Sequence, residues 1–345
     1  MDKVTINKVR RGYYSALYFN RTKEILLKEN NLKKVTMQVF QKNRSVLCGM
    51  NEVLDLFKIG TGYWEKNKWL NKYDELDIRH LAEGDVISPR ESVMHITGPY
   101  AYFAHLESLY LGILARRTLV ATNARKIIDA ASGKQVVYFA DRFDHFTCQE
   151  GDGYAAHIGG ITTVCTEAQA ALWKGNVSGT IPHSLIAIND GDTLAAVQQF
   201  SKHVKDRAIA LVDFDNDCIN TSLKVASVLK EKLWGVRIDT AENMIDKALM
   251  GKTDKKYYGV NPSLVMLLRK ALDSRGFPYI KIVVSGGFDE EKILRFEKAK
   301  APVDAYGVGS SLLKGNNDFT ADIVMVERKM IAKKGRKYMP NNRFK

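Results

Sequence analysis

Four apolar runs in the second half of the chain each end on residues that can hold a ligand or do chemistry. The run Ile209–Val212 leads into Asp213, with Asp215 and Asp217 just behind it. GVRI (235–238) carries Arg237 and is followed by Asp239. IVV (282–284) stops at Ser285-Gly286-Gly287, and DAY (304–306) runs into Gly307, Gly309, Ser310 and Ser311. Carboxylates at such positions suit ribose hydroxyls or Mg²⁺. Glycine turns that open helices expose backbone N–H groups able to hold phosphate oxygens. A sugar phosphate with a second, metal-bound phosphate group fits this set. Strand ends also carry Gly and Asp for turn reasons alone, so the reading rests on four successive ends and not on any single one.

The elements that must position these residues follow from the apolar pattern. VVYFA (136–140) and the four runs above are short and continuously apolar, the mark of strands buried on both faces. Helical spacing appears between several of them, at 223–233, 264–276 and 289–300. Strand and helix in alternation predict parallel strands joined by crossovers. Ligands in such folds sit at the C-terminal strand ends, where the Asp, Arg and Gly residues lie. Upstream, residues 80–100 alternate in short apolar stretches broken by Gly84, Pro89, Gly98 and Pro99, which predicts small antiparallel strands. From Ala101 to Ala131 the spacing predicts a long helix or helix pair stopped by Ser132-Gly133. The first 75 residues, with VLDLF (53–57), read as part of an α+β domain.

Composition bounds the class. The chain has 345 residues, 45% hydrophobic and 26% charged, as in a globular protein with a core. No apolar run approaches the roughly 18 to 20 residues of a membrane span. The charged N-terminus has no apolar signal core, and four scattered cysteines form no CxxC pair; both fit a cytoplasmic protein with reduced thiols. The net charge of +13 is spread along the chain apart from a denser tail at 333–345. No nucleic-acid-binding signature accompanies it, so a solvated basic surface is expected and no nucleic-acid partner.

Six segments in this order, GDVISPRESVMHITGPYAYFAHLES (84–108), SGTIPHS (178–184), ALVDFDND (210–217), GVRIDT (235–240), KIVVSGGFDEEKI (281–293) and DAYGVGSSL (304–312), resemble the nicotinate phosphoribosyltransferase family. The resemblance runs from about Tyr18 to about Val326, and the archaeal-type short members are the most similar. It implies a type II fold: an irregular α/β, TIM-like barrel over 111–311, with a smaller α+β domain from 1–110 completed by about 312–345. It also implies a homodimer with shared active sites. The activity implied joins nicotinate to phosphoribosyl pyrophosphate in NAD salvage, with Mg²⁺ as cofactor and ATP as co-substrate. His183 then matches the histidine that ATP phosphorylates, and Asp213 and Asp239 the carboxylates that contact ribose or metal. Arg237, Ser285, Gly286, Gly287, Gly307 and Gly309 match the phosphoribosyl site. Phe139, Arg142 and Thr180 match the base site, which Tyr18 of a neighbouring subunit would cover.

Three positions depart from the family pattern. Its FGxRR strand end reads FADRF (139–143), with Phe143 for the second arginine. Its GG-x-D reads GGIT (159–162), with Thr162 for the carboxylate, and His157 precedes that Gly pair where an aromatic is common. All three are expected near the base pocket, which leaves nicotinamide or quinolinate as alternative bases. A degenerate paralogue that binds a nucleotide as a sensor is the alternative outside enzymes.

Overall fold

The computed structural model describes residues 2–345. The chain forms two compact units, residues 123–314 and residues 2–122 with 315–345.

Seven parallel strands of the 123–314 unit, β1–β7 in chain order, are Gln135–Tyr138, Thr163–Val164, Asn176–Val177, Ala208–Leu211, Leu233–Ile238, Lys281–Val284 and Ala305–Val308. They line up as β3-β2-β1-β7-β6-β5-β4, and every ladder is parallel. The sheet curls, and the chain just past β3 reaches β4 through one hydrogen bond, from Ile181 N to Ile209 O at 3.3 Å. That closure makes an irregular barrel of the expected class. Val136, Ala210, Leu211, Val236, Ile238, Ile282, Val284 and Val308 are all buried, which is why their runs read as apolar throughout.

Helices between the strands begin where side chains can accept from free backbone N–H groups. Asp192 caps Thr193–His203, Asp217 caps Cys218–Leu229, and Asp289 caps Glu290–Lys298. Asn261 caps Pro262–Ser274, with Pro262 at the first helical position. Each such cap stabilises by about 0.5–2 kcal/mol. Asp217, one of the carboxylates behind Asp213, is therefore used in starting a helix.

Register aligns the C-terminal strand ends. Arg237 of β5 lies opposite Leu211 of β4 and Val283 of β6, and Ile238 lies opposite Val284. Beyond those pairs Ser285 N donates to Ile238 O at 3.0 Å, and Val212 N donates to Arg237 O at 3.1 Å. Gly307 and Val308 of β7 face Val137 and Tyr138 of β1, after which Phe139 N donates to Val308 O. The residues that follow β1, β4, β5, β6 and β7 thus emerge at one level.

The other unit is built on a five-stranded antiparallel sheet in the order Lys329–Met330, Phe319–Val326, Lys34–Gln41, Ser92–Pro99, Asp77–His80. The helix Met50–Gly60 buries Val53, Leu56 and Phe57 in its core. The basic tail is docked here. Arg343 pairs with Glu91 at 2.8 Å, Arg336 with Asp322 at 2.5 Å, and Tyr338 and Phe344 flank His95.

Glu107 opens the helix Glu107–Ala130, and Tyr100 donates to it at 3.3 Å. Burial pushes its carboxyl up to about 7. A carboxyl whose folded pKa is raised favours the folded state while protonated, so its contribution is full below the ordinary value of 4.5 and lost as pH rises through about 7. Glu107→Gln should match the parent at pH 4.5 and exceed it at pH 8 by about 1–3 kcal/mol in urea unfolding. Equal stability of the two proteins at pH 8 would show that the carboxylate is not penalised.

Candidate active site

A cavity of about 360 Å³ opens at the C-terminal strand ends. Its wall takes Phe139, Asp141, Arg142 and Phe143 from beyond β1, Cys165 from beyond β2, and Gly179, Thr180 and Pro182 from beyond β3. Arg237 and Asp239 come from β5, residues 285–288 from beyond β6, and Gly307, Gly309 and Ser310 from β7 and its turn.

One hydrogen-bonded chain ties three of these strand ends together. Arg237 Nη1 donates to Thr180 Oγ1 at 2.5 Å, and its Nη2 to Asp239 Oδ2 at 3.2 Å. Ser285 Oγ donates to Asp239 Oδ1 at 2.7 Å. The guanidinium lies 5.5 Å from the centre of the Phe139 ring, and its Nε is buried without a partner. An always-charged group with one unused buried donor is poised for a further acceptor.

Beside the cavity His183 Nε2 stands 3.1 and 3.2 Å from the two oxygens of Asp213. The carboxylate accepts, so Nε2 carries a proton. The side chain of Asp213 is only 6% exposed while that of His183 is 44% exposed. Burial raises the pKa of Asp213, the His183 charge opposes the rise, and the Asp239 charge adds to it. Neither His183 nor Asp213 forms part of the cavity wall.

The glycines serve two purposes. Gly286 and Gly287 have φ of +90° and +65°, a backbone conformation side chains disfavour, and they turn the chain after β6. At Gly307 and Gly309 the constraint is close approach. A Cβ at Gly307 would lie 2.4 Å from the Phe139 ring, and one at Gly309 2.5 Å from the Phe143 ring.

Ten of the expected site residues therefore share one cavity: Phe139, Arg142, Thr180, Arg237, Asp239, Ser285, Gly286, Gly287, Gly307 and Gly309. Tyr18 lies in the other unit, on the helix Leu17–Lys28, and is 64% exposed. Of the three departures from the family pattern, Phe143 lines the cavity but Thr162 and His157 do not. Thr162 is exposed, and His157 stacks on Trp173 with ring centres 4.1 Å apart. Of the three changes expected near the base pocket, Phe143 alone lines this cavity.

Sequence reasoning missed Lys292, Asp141 and Cys165. Lys292 Nζ donates to Gly286 O at 2.6 Å, burial lowers its pKa, and Asp239 is among the charges acting on it. It lies inside the SGGFDEEK segment, where the run of charges reads as a solvated helix face. Cys165 Sγ donates to Asp141 Oδ1 at 3.4 Å, and burial pushes the thiol up to about 12, so it stays an S–H donor.

The described residues contain no group of three or more His, Cys, Asp or Glu arranged to hold a metal, and no helix long and apolar enough to cross a membrane.

Known proteins share this architecture. The profile of the quinolinate phosphoribosyl transferase N-terminal domain matches residues 16–118. A nicotinate phosphoribosyltransferase of Mycobacterium tuberculosis is 31% identical over 257 residues, which cover 72% of this chain and 52% of the relative. One from Bacillus subtilis is 26% identical, covering 68% of this chain and 45% of its own. The chain spans about half the length of these curated relatives. The crystal structure of nicotinate-nucleotide pyrophosphorylase from Pyrococcus furiosus superposes with a TM-score of 0.81 at 32% identity, over 98% of this chain and 80% of that one. With that identity carried over nearly its whole length, and with the same barrel, the chain belongs to the nicotinate phosphoribosyltransferase family of type II phosphoribosyltransferases.

Proposed function

We propose that the protein transfers the phosphoribosyl group of phosphoribosyl pyrophosphate to nicotinate, giving nicotinate mononucleotide and pyrophosphate for NAD salvage. The observation that carries this reading is the Thr180–Arg237–Asp239–Ser285 chain lining one cavity beside the Gly286-Gly287 turn. In the transfer, the ribosyl C1–O bond to pyrophosphate breaks as the ring nitrogen of the base bonds to C1. Positive charge builds on the ribosyl carbon in the process, and a fixed carboxylate nearby stabilises it. Asp239 takes that place, held by Arg237 and Ser285. Arg237 offers its free donor to phosphate oxygens, and the backbone N–H groups of the glycine turns take the 5-phosphate. Phe139 offers a ring face to the base and Arg142 a cation to its carboxylate.

Two carboxylates without a third ligand suit Mg²⁺, which is usually bound through one or two carboxylates and the phosphates of a substrate. Asp239 and Asp213 would hold it. When bound it would neutralise the leaving pyrophosphate.

ATP coupling runs through His183. With Nε2 on Asp213, Nδ1 attacks the γ-phosphorus; the N–P bond forms as the bond to the ADP oxygen breaks, and the carboxylate stabilises the imidazolium. Tyr18 covers the base from a second subunit. Exposure of Tyr13, Tyr14, Leu17 and Tyr18 on one segment supports that association.

One observation favours a second reading, an amide base in place of the acid. The Asp141 carboxylate lines the cavity next to Arg142 and would accept from a carboxamide N–H. If so, nicotinamide gives the higher kcat/KM, and Asp141→Asn reverses the order.

Steady-state assays with phosphoribosyl pyrophosphate, Mg²⁺ and a panel of pyridine bases, with and without ATP, test the proposal. Nucleotide should form fastest from nicotinate and faster with ATP. Binding of the substrates without any turnover would leave a sensor in place of an enzyme. Arg237→Ala should raise KM for phosphoribosyl pyrophosphate by tens- to several hundred-fold, about 2–4 kcal/mol for a lost charged donor. Unchanged saturation kinetics would remove Arg237 from the phosphate site. Incubation with γ-labelled ATP should leave an acid-labile, base-stable label that His183→Ala loses and Ser184→Ala keeps. Label retained in His183→Ala would refute the coupling. Mixed dimers of Tyr18→Ala and Arg237→Ala chains should regain part of the parental turnover, whereas a fully active monomer rules out a shared site.

A further inference from the structure

A second cavity, of about 410 Å³, lies where the strands begin, between the end of the helix Thr193–His203 and the starts of β4 and β5. Lys202, His203, Lys205, Arg207 and Lys232 line it, with Asp206 as the single acid. Parallel strands carry their C-terminal ends to the catalytic cavity, so these side chains sit at the other end of the barrel. The two cavities have no residue in common.

Some exposed lysines elsewhere on this unit pair with carboxylates, while others, Lys126, Lys230 and Lys270 among them, stand apart on the surface without such an ion pair. Lys224 pairs with Asp192, Lys247 with Asp217, and Lys281 with Asp304. Among the described residues Lys202, Lys205, Arg207 and Lys232 have no such partner. Lys202 and His203 end a helix, where a cation complements the last carbonyls. That does not account for Lys205 and Arg207 in the following loop, or for Lys232 on a separate segment. The hydroxyl of Ser201, in the same wall, is buried with no hydrogen-bond partner. Like charges that converge on a concave wall repel one another, and a multiply charged anion placed between them removes the repulsion.

We propose that this cavity is a second binding site for a compact oligophosphate, either inorganic or the phosphate chain of a nucleotide, independent of the catalytic cavity. Lys205, Arg207 and Lys232 supply the charge, and Ser201 supplies a neutral donor. A pocket of this size encloses two or three phosphate groups, while an extended nucleic acid would need a basic stripe along the surface.

Titration calorimetry with inorganic tripolyphosphate in metal-free buffer tests the assignment. The parent protein should show two binding events. Arg237→Ala should lose the one in the catalytic cavity and keep the other. Lys205→Glu with Lys232→Glu should weaken the second at least tenfold, while kcat stays within about twofold. Should the glutamates disturb folding, Lys205→Ala with Lys232→Ala gives the same comparison, and Lys205→Arg with Lys232→Arg should preserve binding. In the Arg237→Ala background, equal affinity for ATP and tripolyphosphate assigns recognition to the phosphate chain alone. Tighter ATP binding adds a contact to the nucleoside. The proposal is overturned by a single event that Arg237→Ala abolishes, or by parental binding in the double glutamate variant. Preference for a DNA duplex over tripolyphosphate at equal salt would overturn it as well.

Discussion

A guanidinium keeps its charge inside a protein, so a barrel that places one at the end of a strand must surround it with acceptors. Arg237 sets this condition for the site. Thr180 takes one N–H, Asp239 takes another, and Ser285 holds the far oxygen of Asp239. These partners come from beyond β3, from β5 and from beyond β6, so the chain is satisfied only if those strand ends stand level. The parallel register meets that need by aligning Ile238 with Val284. The one donor of Arg237 left buried and without a partner is Nε.

The rest of the cavity follows from what the Arg237 group excludes. Phe139 lies close beneath the guanidinium and so close to β7 that only glycine fits at 307. Phe143 presses on Gly309 in the same manner. Two phenylalanines therefore add apolar surface beside the polar chain. His183 and Asp213 pair with each other outside the cavity wall.

Much of this was legible in the sequence because buried parallel strands leave continuous apolar runs. β4, β5, β6 and β7 were readable from their Val, Ile and Ala content, and the residues just past them follow by position. Asp239, Ser285 and Gly286 were found in that way. β2 and β3 were not, since two-residue strands are too short to show a period. Lys292 was hidden for a different reason. A lysine among glutamates reads as solvent-facing, and only the turn at Gly286 brings a carbonyl to its ammonium. His157 lies on the helix Gln149–Ile158 and Thr162 just before β2, so the family pattern alone does not bring them to the cavity wall. The basic tail carried no pattern in sequence, yet its arginines find Asp322, Asp85 and Glu91.

The central claim is that one cavity holds phosphoribosyl pyrophosphate with its 5-phosphate on the glycine turns and its pyrophosphate towards Arg237. A crystal structure of the protein with phosphoribosyl pyrophosphate and Mg²⁺ tests it directly. The account predicts the 5-phosphate at the N–H groups around Gly286, Gly287 and Gly309, with the ribose hydroxyls on Asp239. A sugar phosphate bound with its ends exchanged, or bound outside this cavity, would contradict it.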